Sequence, residues 1–143
     1  MTTPPRDDIA RFFTEFERAG NELDTDWLAS AFSEQFLNLS PDGAGVVSRQ
    51  ALLESLPMRA RLFASIGADG SNLTALAETP LDDLHTLAET RWQLRFPESP
   101  ETAPLTLRST FVLRHEAGVW QIVLYLNHDN IVSIIKDRAE ARA

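Results

Sequence analysis

The chain has 143 residues, 43% hydrophobic and 24% charged, with no cysteine and a formal net charge of −8. That length suits one domain, 1–143, with a single core and no covalent staple, and the missing cysteines exclude disulfides, thiolate nucleophiles and Cys-ligated zinc. The acidic balance opposes phosphate backbones and anionic bilayers, so neither nucleic acid nor membrane is an expected partner; with no long apolar run and no leader-like pattern in MTTPPRDD, the expected location is cytoplasmic.

From Asp7 to Ala19, the residues Ile9, Phe12, Phe13 and Phe16 recur at helical spacing. They predict an amphipathic helix with Asp7 and Asp8 at the positive end of its dipole and Gly20 as its stop. Asp24 is placed to cap a second, shorter helix that buries Trp27, Leu28, Ala31 and Phe32. The stretch EQFLNLS reads as a short strand, Phe36 and Asn38 on one side and Leu37 and Leu39 on the other, before a Ser40-Pro41-Asp42-Gly43 turn. Ser48 opens a third helix carrying Leu52, Leu53 and Leu56; Pro57 either interrupts it or opens a further turn, and Leu62, Phe63 and Ile66 keep the spacing until Gly67 and Gly70 end it.

From Asn72 onward the period becomes two. Residues 72 to 79 form one strand, Pro80 to Asp83 a turn, and a long strand follows in which Leu84, Thr86, Ala88, Thr90, Trp92, Leu94 and Phe96 share the buried face. Pro97 to Pro104 is a loop. The next strand turns Leu105, Leu107, Ser109, Phe111 and Leu113 inward, and Glu116-Ala117-Gly118 is a tight hairpin. Arg91, Arg95, Arg108 and Arg114 face outward among Glu89 and Glu116, which predicts a cross-strand ion-pair lattice rather than an anion-binding patch. The last strand, Val119 to about Asn127, is apolar on both sides: strict alternation puts Trp120, Ile122, Leu124, Leu126 and then His128 inside, and Val119, Val123 and Tyr125 outside. Such a strand needs cover on both sides, which predicts a homodimer through the outer face, with a fold-back of the closing helix (Ile131, Val132, Ile134, Ile135) as the competitor. The final KDRAEARA reads as a solvated tail.

Helices first and long strands after, with FSEQFLNLSPDG, SRQALLESL and STFVLRHEAGVWQIVLYLNHD in that order, resemble the nuclear transport factor 2-like superfamily, in particular its SnoaL-like and calcium/calmodulin-kinase association-type branches, over roughly residues 7 to 130. The resemblance implies an α+β fold in which a cone-shaped, strongly curved antiparallel β-sheet wraps around N-terminal helices (cystatin-like), with a mainly apolar pocket in the cone and frequent homodimers. It implies no single activity, because the same fold serves isomerases, dehydratases, cyclases, epoxide hydrolases and non-catalytic modules.

The chemistry narrows the choice. A ketosteroid-isomerase pattern would want an Asp on the strand after the second helix and a Tyr on the first; this chain has Phe36 and Asn38, and Phe12 and Phe13, there, and its one tyrosine is Tyr125. An epoxide-hydrolase-type Asp-Arg-Asp arrangement fails because Arg91 and Arg95 alternate away from the apolar face. Dehydratase-like members use histidines: His85 reads as a solvated strand residue, His115 as a turn-flanking one, and His128 as the candidate catalytic residue, with Asp129 as a helix cap beside it. Asn38, Thr90, Ser109 and His128 are the expected inward polar groups, within walls from Trp27, Trp92 and Trp120; the alternatives are that the three tryptophans simply fill the core and that His128 belongs to the start of the last helix. The expected partner is a hydrophobic, mostly uncharged small molecule, since no inward basic residue is foreseen. No cofactor is expected, and no metal, the three histidines lacking ligand spacing. A cyclase-, dehydratase- or isomerase-like enzyme using His128 and a non-catalytic dimerisation module are the alternatives.

Overall fold

Asp24 joins the first two helices of the computed structural model, which describes residues 6–98 and 105–142, without the side chains of residues 6, 7, 139, 141 and 142. Helix α1 (Arg6–Glu22) runs past Gly20 and closes at Leu23, which takes a positive φ of 55° while the Asp24 N–H returns to the Ala19 carbonyl at 2.9 Å. The expected Gly20 stop is thus corrected by three residues. The Asp24 carboxylate in turn accepts the Trp27 N–H at 3.1 Å and starts α2 (Thr25–Ala31), so one residue ends one helix and caps the next.

Strands β1 (Phe32–Ser40) and β2 (Gly43–Ser48) form a hairpin over Pro41 and Asp42, and Ser48 caps α3 (Arg49–Ala64). Helix α3 continues through Pro57, which is exposed. The missing N–H forfeits one ladder bond, while Leu52, Leu56 and Phe63 anchor the helix on either side of it. Then come β3 (Ser71–Pro80), β4 (His85–Leu94), β5 (Thr106–Glu116), β6 (Val119–Asn127) and α4 (Ile131–Arg142). Residues 136–142, read from the sequence as a solvated tail, belong to α4, whose first turn is capped by the Asn130 side chain on the Ser133 N–H at 2.9 Å. The Asp129 carboxylate, expected to be that cap, instead accepts the Arg108 N–H at 2.8 Å. Of the Pro97–Pro104 loop, residues 99–104 lie outside the described residues.

The strands make one curved, open sheet in the order β2-β1-β6-β5-β4-β3. Every neighbouring pair is antiparallel except β1 and β6. No hairpin joins those two strands, so nothing forces them antiparallel as the sequence reading assumed. Helix α1 lies in the concave side: Phe13 meets Phe111 at 5.0 Å between ring centroids, and Phe16 reaches Phe111 at 5.5 Å and Trp92 at 5.8 Å. Each such ring taken out of water contributes on the order of 2 kcal/mol, which makes this aromatic stack the main attachment of α1 to the sheet. The same helix protects the exposed edge of the sheet. Asn21 both accepts from the Ser71 N–H (2.9 Å) and donates to its carbonyl (2.8 Å), and Glu17 accepts the Leu73 N–H, so the first residues of edge strand β3 are already paired.

The inward phase expected for β4 and β5 holds within the strands, where Thr86, Ala88, Thr90, Trp92 and Leu94, and Leu107, Ser109, Phe111 and Leu113, are all buried, but Leu84, expected on the same face, is 40% exposed. In β6 it holds only halfway. Leu113 pairs with Ile122 but Val112 pairs with Leu124, so Val123 is an extra residue, a β-bulge, and the faces exchange there. Trp120 and Ile122 point inward before the bulge. After it Tyr125 is buried, 7% exposed, and stacks on Phe111, while Leu124 and Leu126 turn to the outer face. The outer ion-pair lattice is also different from the expectation. Arg91 stands directly opposite Arg108; Arg95 pairs with Asp69, Arg108 with Asp129 and Arg114 with Glu116, leaving Glu89 opposite Thr110. No helix among the described residues is long and apolar enough to cross a membrane.

Candidate functional site

Between α3 and the concave sheet lies a cavity of about 300 Å³. Helix α1 supplies Phe16, Glu17 and Asn21 to its wall, α3 supplies Leu52, Leu56, Arg59 and Phe63, and the sheet supplies Trp92, Leu107, Ser109, Tyr125 and Asn127, with Ile131 of α4 beside them. Most of this surface is apolar because the helices and strands that meet here do so by their hydrophobic faces.

Thr90 explains how Trp92 is held. Its hydroxyl donates to the Ser109 carbonyl at 2.9 Å and accepts the Trp92 indole N–H at 2.8 Å, so both of its bonds are spent inside the protein. Thr90 is therefore a positioning residue behind the wall, whereas Trp92 and Ser109 line the cavity. Ser109 Oγ donates to Asn127 Oδ1 at 3.0 Å, which fixes the carboxamide and leaves its Nδ2 without a partner among the described residues.

The other expected site residues lie elsewhere. Trp27 packs against Phe12 at 5.4 Å and is half-buried away from the cavity lining. Asn38 sits beside Tyr125 in the β1–β6 register but does not line the cavity. Trp120 is buried against His115, ring centroids 4.6 Å apart, and its indole N–H has no hydrogen-bond partner among the described residues. His128 is corrected by the bulge: it is exposed on the outer side, where its Nε2 meets the Thr110 hydroxyl at 2.6 Å, and Asn127 takes the inward position. His85, expected to be solvated, is half-buried between Asp82 (Nδ1 at 2.9 Å) and Arg114 (Nη1 at 3.1 Å from Nε2). The Leu84 N–H, with the His85 ring as a second donor, holds the Asp82 carboxyl below its ordinary pKa. This chain of groups lies outside the cavity lining. Among the described residues no three His, Asp or Glu side chains gather as a metal site would need.

Sequence reasoning missed Arg59, Tyr125 and Asn127. A signal for Arg59 exists: Leu56 precedes it by three residues and Phe63 follows it by four, so it shares the apolar stripe of α3. Its guanidinium lies 5.4 Å from the Phe63 ring centroid. Tyr125 and Asn127 depend on the bulge, which no local pattern announces.

Comparison with known proteins places this architecture. No family model matches the chain, and no curated protein matches its sequence. Solved structures do match its fold. A nuclear transport factor 2-like protein of unknown function from Shewanella oneidensis is 19% identical, covering 88% of this chain and 100% of its own, with a TM-score of 0.66. Aln2 from a Streptomyces species is 14% identical over 93% of this chain and 98% of its own, at 0.71. A cystatin-like protein of unknown function from Nostoc punctiforme is 14% identical over 91% and 96%, at 0.70. The protein has the nuclear transport factor 2-like, cystatin-like fold expected from its sequence.

Proposed function

We propose that residues 1–143 form one SnoaL-like domain that binds a hydrophobic small molecule in the cone, acts as a homodimer and works in the cytoplasm. The observation that carries this reading is the cavity of about 300 Å³, walled by Phe16, Leu56, Phe63 and Trp92 and touched by few polar groups. An apolar hollow with sparse, oriented polar atoms is the usual form of a small-molecule site, and this volume suits a compact ligand of two or three rings or a medium acyl chain. Filling such a space with protein side chains would have stabilised the core by about 1 kcal/mol per methyl group, so an open cone is consistent with an occupant.

A thermal-shift screen of aromatic, polyketide and steroid compounds tests it, with Ala60→Trp on the α3 wall as a blocked cone. Compounds that raise the melting temperature of the native chain and leave Ala60→Trp unmoved support the reading. Silence across the panel overturns it in favour of a structural module.

A further inference from the structure

The cavity's polar groups differ in how far they are already used. Each of its two carboxylates has one oxygen engaged: Glu17 accepts the Leu73 N–H, and Asp69 pairs with Arg95 Nε at 3.0 Å. Among its donors, Asn21 Nδ2 is spent on the Ser71 carbonyl and Ser109 Oγ on Asn127, but three others are open. Arg59 forms no ion pair among the described residues, Asn127 Nδ2 is unbonded because Ser109 holds only the amide oxygen, and the Tyr125 hydroxyl has no hydrogen-bond partner among the described residues. Arg59 is half-buried on the α3 wall, with its guanidinium against the Phe63 ring. An unpaired guanidinium and two open hydrogen-bond donors around one cavity favour a ligand rich in acceptors.

We propose that the occupant is an apolar body bearing one carboxylate, with the carboxylate on Arg59 and Asn127 and Tyr125 offering their hydrogens to ligand oxygens from the sheet wall. This rests on the reading of the cavity as a small-molecule site and corrects the expectation of an uncharged ligand, whose premise was that no basic residue faces inward. The net charge of −8 does not oppose it: at physiological salt that field is screened over about 8 Å, whereas a guanidinium–carboxylate contact acts at about 2.8 Å. Fatty and aromatic acids share this chemistry, and the probes separate them.

Isothermal titration calorimetry of the full chain with two matched pairs, 2-naphthoate against 2-naphthamide and decanoate against decanamide, is the experiment. Each pair keeps the apolar body and replaces the carboxylate by a neutral amide of nearly the same shape, with one acceptor oxygen fewer. The expected result is about 10-fold tighter binding of the acid in at least one pair, a preference that disappears in Arg59→Gln and survives in Arg61→Gln on the exposed side of α3. Whichever pair shows it identifies the aromatic or the acyl body. Equal affinity for acid and amide overturns the carboxylate assignment and leaves the apolar site standing. An acid preference that persists in Arg59→Gln also overturns it. Failure of all four probes to bind, with the native fold confirmed by circular dichroism, overturns both readings.

Discussion

The rings of Phe111 and Tyr125 stack at 4.8 Å between centroids and 14° between planes, joining β5 to β6 on the concave side. That contact exists because the Val123 bulge turns Tyr125 inward. Replacing Tyr125 by Ala should therefore cost about 3 kcal/mol in urea unfolding, through the lost ring burial and the space left between Phe111 and Phe32. Tyr125→Phe should cost less than about 1 kcal/mol, since the hydroxyl bonds no described protein group, while weakening any ligand that uses it. A large loss of stability in Tyr125→Phe would show that the hydroxyl is structural.

Gly70 has no room for a side chain. Its φ is 152°, and a Cβ built there would stand 2.3 Å from Asn21 Oδ1, the atom that caps Ser71. Gly70→Ala should destabilise by about 2 kcal/mol and free the start of edge strand β3, seen as faster amide exchange at Ser71 and Leu73. Unchanged stability would mean that Asn21 moves aside without loss.

Asp24 should make stability pH-dependent. The Trp27 N–H first, and then the Arg18 guanidinium, hold its carboxyl below the ordinary value of 3.8. A lowered folded-state pKa gives stability that is fully present above the unfolded value and lost as pH falls through the folded one. In Asp24→Asn the amide still caps α2 but neither pairs with Arg18 nor titrates. The melting-temperature gap between native and variant chains should be widest near neutral pH and close below pH 3.8. A gap constant from pH 7 to pH 2 would remove Asp24 from the acid response.

These cases show what the sequence could and could not say. The α1 face with Phe13 and Phe16, and the inward alternation through Trp92 and Ser109, were legible because each follows one period over ten or more residues. The bulge at Val123 was not, because β6 is apolar on both sides and a one-residue shift leaves an equally hydrophobic pattern. That single shift moved His128 out of the cone and brought Tyr125 and Asn127 in, whereas Trp27, Asn38 and Trp120 lie away from the cavity lining for reasons unconnected with it. Arg59 was overlooked for a different reason: a charged residue on an apolar stripe is ordinarily taken to snorkel outward, and only the packed Phe63 shows that it stays at the cavity wall.

The bulge also redraws the proposed dimer surface. Tyr125 cannot contribute, being inside, but the register brings Val46, Leu37, Leu124, Val112 and Leu87 side by side across five strands, with Leu39 and Leu126 in the next row. Helix α4, the competitor for this face, packs on α3, and its Ile131 lines the cavity, so it covers the concave side instead. Val46 is 69% exposed and Leu37 37%, an apolar row on the outer face of the sheet that a second copy would cover across a two-fold axis. Light scattering should therefore give twice the chain mass at micromolar concentration. Leu124→Glu, at the centre of the row, should halve it by leaving a charge buried without a partner. Leu37→Glu, closer to the sheet edge and already partly in water, should do the same with less risk to folding. A monomer in the native chain sinks the dimer; so does a native dimer that survives both substitutions with its circular dichroism unchanged, because its interface would then lie on another surface.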